Sequence, residues 1–232
     1  MSKGFFITAT DTSVGKTFVA EALARAMTET GIRVGVMKPV ETGCMREETM
    51  PGSLEATGAL RPSDALRLKA AARSEAPLEL INPYRFSAPL APSIAASEAG
   101  ETIELGVIKA RFDELARDAD TMIVEGAGGI MVPLNYKETT LDLMVMLALP
   151  VIIVAPSRLG CINHTLLTYN AATGAGLTVA AVILNQPDEL VDESTPLNAS
   201  ELRGLGLPIK KELPFSPEGK LSISPVIFSD VN

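Results

Sequence analysis

Gly15, Lys16 and Thr17 close a loop that follows the apolar run Phe5-Phe6-Ile7 and precedes a stretch rich in Ala, Glu, Leu and Arg. An ammonium and a hydroxyl placed directly after a glycine, between a strand and a helix, suit phosphate chemistry. Backbone N–H groups of such a loop, and of the helix start behind it, cradle phosphate oxygens. Lys16 is expected to reach the β- and γ-phosphates of a nucleotide, and the Thr17 hydroxyl to ligate Mg²⁺. The usual G-x-x-x-x-G-K-[ST] pattern would place its first glycine at position 10, where this chain has Thr10 preceded by Ala9. The turn there is made without it.

Three other polar residues, Lys38, Glu125 and Asn185, stand where apolar runs end. Mg²⁺ on a nucleotide takes a few oxygen ligands and keeps several waters, so carboxylates near the loop are candidates. Glu125 directly follows Met-Ile-Val and precedes Gly126-Ala127-Gly128-Gly129; it reads as a metal ligand or as a surface residue opening a turn. Asp64 is a second ligand candidate, or simply an acid that favours a helix start. Lys38 ends an apolar run and reads as a site cation or a lysine whose stem snorkels to the surface. Asn185 could read an adenine edge or close a turn. His164, the chain's one histidine, falls at a helix start among Leu and Thr, which favours a structural role.

These residues need a scaffold. Strands are expected over residues 5–8, 34–38, 122–124, 151–154, 179–184 and 209–213, and helices over 18–30, 63–73, 103–118, 139–147 and 163–173. Continuous apolar strands alternating with helices imply an α/β fold, P-loop NTPase-like, with a mostly parallel sheet covered by helices on both faces. Ligands in such folds bind outside the carboxyl ends of the strands. Residues 87–97, rich in Pro and Ala, read as an irregular loop leading into a helix. One domain is expected to span residues 1–232.

Composition narrows the partners. A net charge of −8 and the lack of a basic run argue against nucleic acid. The most apolar stretch, around 145–155, holds Pro150 and is too short to span a membrane. Cys44 and Cys161 have neither CxxC spacing nor the number for a disulfide scaffold. The chain's first residues run straight into the loop strand, so a cleaved signal there would remove the chemistry, and a cytoplasmic location is expected.

Taken in order, Thr10–Thr17, Lys38-Pro39-Val40-Glu41-Thr42-Gly43, Ser63-Asp64-Ala65-Leu66, Asn82-Pro83-Tyr84, Val124–Gly129 and Leu159-Gly160-Cys161-Ile162-Asn163-His164 resemble the dethiobiotin synthetase family. The resemblance implies an ATP-dependent ring closure in biotin biosynthesis. 7,8-Diaminopelargonic acid would take up CO₂ as a carbamate, ATP would phosphorylate it, and the second amine would close the ureido ring, giving dethiobiotin, ADP and phosphate. It implies Lys38, Lys16 and Thr12 as catalytic residues, and Thr17, Asp64 and Glu125 as Mg²⁺ ligands. ATP would contact Ser13, Val14, Gly15, Lys16, Thr17, Phe18, Glu125, Gly128 and Asn185. Substrate would contact Thr42 and, at a helix start on the neighbouring subunit, Gly160, Cys161, Ile162 and Asn163. A homodimer with active sites at its interface follows from that last role.

Three positions depart from the family. Ala9 stands where Gly is common, Ser13 where Glu is often found, and Thr42 where Ser is common; beyond about residue 190 nothing is carried over. Two rival readings share the fold. Partitioning and cell-division ATPases carry an extra loop lysine where this chain has Thr10-Asp11. Amide ligases acting on corrin acids usually add a glutamine-hydrolysing domain, for which 232 residues leave no room. A plain nucleotide-binding module is the third alternative.

Overall fold

The apolar runs become strands buried on both faces. The computed structural model describes residues 3–46 and 58–216. In chain order its elements are β1 (Gly4–Ala9), α1 (Lys16–Glu29), β2 (Val34–Met37), β3 (Val40–Glu41), β4 (Met45–Arg46), β5 (Leu60–Arg61), α2 (Ser63–Ala71), α3 (Leu78–Ile81) and β6 (Tyr84–Arg85). Then follow α4 (Pro92–Glu98), α5 (Leu105–Ala116), β7 (Thr121–Gly129), α6 (Thr140–Leu147), β8 (Val151–Pro156), α7 (Cys161–Gly174), β9 (Val179–Asn185), α8 (Thr195–Gly204) and β10 (Ile209–Leu213).

Six strands form one parallel sheet in the order β10-β9-β8-β1-β7-β2. All six residues of β8 are buried. Successive side chains of a strand point to opposite faces, so both faces of the sheet are covered. Helix α1 packs on β1, β2 and β7, whereas α7 packs on β8 and β9. Phe6, Ile7, Ile123 and Ile152 are fully buried, each contributing about 1.5–3 kcal/mol by leaving water. No helix of the described residues is long and apolar enough to cross a membrane.

Chain direction sets the site. From β1 the chain passes beyond β7 to β2, while β8, β9 and β10 build outward on the other side. The order of addition reverses at β1, and the crevice at its carboxyl end is where such sheets bind ligands. The loop carrying Lys16 lies there.

Several boundaries differ from the sequence expectations. The third long strand was expected over 122–124, with Glu125 starting a turn. Instead β7 runs to Gly129, and Glu125 pairs with Ile7 before a bulge shifts the register to Ala9 opposite Gly129. Pairing with β1 overrides the weak strand preference of a glycine-rich segment. Helices α1 and α7 each start two residues earlier than expected, at Lys16 and Cys161, directly after Gly15 and Gly160 in left-handed conformation. Residues 92–98 form α4, with Pro92 in its first turn. Helix α8 lies where no element was expected; Pro196 sits in its first turn, a position that proline tolerates.

Candidate active site

The loop after β1 is fixed from both ends. Ala9 completes β1 and is fully buried, paired with Val154 and Gly129, so its methyl group packs in the core and the turn begins beyond it. Thr10 N–H donates to the Val154 carbonyl at 3.1 Å. Ser13 holds φ 59° and Gly15 φ 99°, both left-handed. At Gly15 a side chain is excluded twice over, because a Cβ would also lie 2.4 Å from Asn185 Nδ2. That same nitrogen donates to the Val14 carbonyl at 2.9 Å, so the end of β9 clasps the loop. Lys16 curls back, donating to the Asp11 carbonyl at 3.0 Å. It is only 7% exposed. Burial, then the neighbouring Lys38 charge, lowers its pKa to about 8.

Facing the loop is a buried charge cluster. Lys38, just beyond β2, is 4% exposed, which excludes the snorkelling alternative. Its Nζ lies 2.5 Å from Glu125 Oε1 and 2.9 Å from Asp64 Oδ2. Glu125 has no solvent exposure at all, so the surface-turn alternative fails with it. Thr17 Oγ1 donates to Glu125 Oε1 at 2.7 Å. Burial alone would lower the Lys38 pKa, but the Glu125 and Asp64 carboxylates outweigh it and hold Lys38 above the usual lysine range. Burial likewise would raise Asp64, and Lys38 overcomes it, keeping that carboxylate below its ordinary value. Lys38 and Asp64 therefore face each other as opposite charges.

The donor set fits a hard cation. Glu125 Oε2 is buried without a hydrogen-bond partner among the described residues, and such an oxygen is costly unless something binds it. With the Thr17 hydroxyl and the Asp64 carboxylate it offers oxygen ligands of the kind Mg²⁺ takes, phosphates and water completing the shell.

A cleft of about 390 Å³ joins these groups. Of the residues anticipated from sequence, Thr12, Ser13, Gly15, Lys16, Thr17, Phe18, Lys38, Thr42, Asp64, Glu125 and Gly128 line it. Val14 lies buried beneath the loop, and Asn185 stands behind it. Gly160, Cys161, Ile162 and Asn163 do not line it; they form the start of α7, capped by Gly160 at φ 92°. A second cavity of about 440 Å³ shares Thr12 and runs along α7 past Ile130, Val132, His164 and Leu167. His164, expected as structural, is exposed there. Four cleft residues were not anticipated as site residues: Val40, Glu41, Arg67 and Ala127. Glu41 carried no signal beyond its place between Lys38 and Thr42, whereas Arg67 lies one helical turn after Asp64, a spacing that could have flagged it.

Comparison with known proteins bears on this arrangement. A family model described as an AAA domain matches residues 3–207. A protein named ATP-dependent dethiobiotin synthetase BioD from Anaeromyxobacter dehalogenans (strain 2CP-C) is 43% identical over 203 residues, covering 88% of this chain and 85% of the relative. The chain belongs to the ATP-dependent dethiobiotin synthetase family. Another relative of that name, from Anaeromyxobacter sp. (strain Fw109-5), is 42% identical over 200 residues, covering 86% of this chain and 84% of that protein. Among solved structures, a ParA family ATPase from Chlorobium tepidum TLS superposes with a TM-score of 0.59 at 15% identity, covering 98% of each chain. That likeness shows the P-loop fold alone. Membership of the synthetase family makes this chain an ATP-dependent ligase.

Proposed function

We propose that this chain, working as one P-loop domain, converts 7,8-diaminopelargonic acid, CO₂ and ATP into dethiobiotin, ADP and phosphate. One substrate amine adds to CO₂ and loses a proton, giving a carbamate. A carbamate oxygen attacks the γ-phosphorus of ATP, displacing ADP and forming a carbamic–phosphoric anhydride. The second amine attacks the carbamyl carbon and phosphate leaves, closing the ureido ring.

What carries this reading is the convergence of Lys16 and Lys38 on one cleft between the phosphate loop and the Asp64 and Glu125 side chains. Phosphoryl transfer needs chiefly positioning and opposed charge. Lys16 and the loop N–H groups would hold the β- and γ-phosphates, and Ser13 to Phe18 would carry the nucleotide chain. Lys38 would face the carbamate and γ-phosphate as a permanent cation. Beside it, the neutral, nucleophilic form of a substrate amine is favoured. Thr12 and Thr42 offer hydroxyls at the cleft walls. Because Asn185 Nδ2 is committed to Val14, its Oδ1 is the atom left for a base amino group. Thr17, Asp64 and Glu125 would hold Mg²⁺, which when bound neutralises phosphate charge.

The cavity along α7 suits the aliphatic chain of the substrate. The start of α7, from Gly160 to Asn163, suits a carboxylate; since it does not line the cleft of its own chain, we assign it to the neighbouring active site of a homodimer. With ATP and bicarbonate as co-substrates, we place the enzyme in the cytoplasm. The test is phosphate release from MgATP and bicarbonate, with and without the diamine. Release that requires the diamine supports the reading; hydrolysis indifferent to it would favour a nucleotide switch.

A further inference from the structure

Glu41 is a buried carboxylate that the chemistry above leaves unused. It ends β3, between Val40 and Thr42, and is 5% exposed. Its Oε1 accepts the Asp64 N–H at 3.0 Å and the Ser63 hydroxyl at 3.3 Å, and its Oε2 accepts the Ala65 N–H at 3.0 Å. Both oxygens thus serve the first turn of α2.

That turn needs an acceptor. The first N–H groups of a helix have no partner within it, and the residue before α2 is Pro62, which has no capping side chain. A helix that required only a cap could carry Ser or Asp at that position. Here the cap comes from 23 positions earlier in the chain, off the segment that also carries Lys38 and Thr42. A second carboxylate near Asp64 is electrostatically expensive, since burial and the Asp64 charge both push the Glu41 carboxyl up. The positive end of α2 offsets this. The result ties the backbone of Asp64 to the Lys38 segment, while the Asp64 carboxylate meets Lys38 at 2.9 Å.

We propose that Glu41 is a positioning residue, which fixes the start of α2 so that the Asp64 carboxylate is held in register with Glu125 and Thr17 for the metal. The inference rests on Asp64 being a metal ligand. Partners that orient metal ligands typically change metal affinity by about 10–100-fold when removed.

The experiment compares Glu41→Gln, Asp64→Asn and the double variant in the full chain. Calorimetry of ADP binding over a range of Mg²⁺ concentrations gives the Mg²⁺ requirement without turnover. Amide hydrogen exchange over residues 62–70 reports the start of α2. Glu41→Gln is expected to raise the Mg²⁺ requirement about 10-fold or more, to leave Mg²⁺-free ADP binding unchanged, and to speed exchange at Asp64 and Ala65. The double variant should be no worse than Asp64→Asn alone, because Glu41 acts through Asp64. If Asp64→Asn leaves the Mg²⁺ requirement unchanged, the metal assignment fails and the inference falls with it. If Asp64→Asn raises it and Glu41→Gln does not, or if the two effects add, the positioning role alone is overturned. Should Glu41→Gln not fold, Glu41→Asp, which withdraws the charge by one methylene, gives the same readout.

Discussion

Lys38 and Glu125, 87 positions apart in the chain, meet as a buried ion pair with Nζ 2.5 Å from Oε1. One stands directly after β2 and the other in the middle of β7, adjacent strands of the sheet. Such a pair is costly to desolvate and more costly to break. Its value is in placing a fixed cation and a half-satisfied carboxylate beside the phosphate loop.

Lys38→Gln should therefore act on both stability and turnover. Leaving Glu125 buried without its cation costs about 3–5 kcal/mol, and excess Mg²⁺ should restore part of that in thermal unfolding. Loss of one preorganised charge at the transferring phosphate should lower kcat by about 10²–10³. The pH–rate profile should also move to the alkaline side, because the substrate amine no longer sits beside a cation. A wild-type rate and profile would contradict this.

Lys16 gives a pH signature in the nucleotide-free protein. Its folded pKa of about 8 lies below the 10.5 of an unperturbed lysine. Between those values the unfolded chain holds a proton that the native one lacks, so stability rises with pH across the window. Urea unfolding at pH 7.5 and 9.5 should show wild type gaining about 2 kcal/mol relative to Lys16→Met. A difference that stays flat with pH would contradict the burial of this ammonium.

Asn185 should matter to the phosphate loop itself. Removing its bond to Val14 in Asn185→Ala is expected to cost about 1 kcal/mol of loop order. Binding of inorganic tripolyphosphate should weaken along with that of ATP. If only ATP binding fell, Asn185 would be a reader of the base and not a clasp on the loop.

Ser13 is a non-glycine residue at φ 59°. Ser13→Gly should relieve about 1 kcal/mol of strain, raising Tm by about 2–4 °C for a chain of this size. Ser13→Val should lower it. Calorimetry of both variants without nucleotide measures the pair.

How much the sequence reveals depends on how local each feature is. The phosphate loop is legible because a strand, a glycine and a helix start lie within one short stretch. The inner sheet strands are legible because burial on both faces demands apolar runs, whereas the edge strand β10, with Lys210, Lys211 and Glu212 exposed, carries no such run. Glu125 was placed at the right strand, yet its full burial was not foreseeable, since β7 continues only because β1 pairs with it. Glu41 is illegible for the same reason. Nothing around it marks a helix cap whose helix begins 22 positions later. Likewise Asn185 was read from the end of an apolar strand, but its hold on Val14 spans 171 positions.

The most direct test of the account is the identity of the product. Incubating the protein with MgATP, 7,8-diaminopelargonic acid and ¹³C-bicarbonate, followed by mass spectrometry, should give a cyclic urea that carries the label in its ring, formed in step with ADP. ADP formed without any labelled cyclic product would contradict the ligase reading of this cleft.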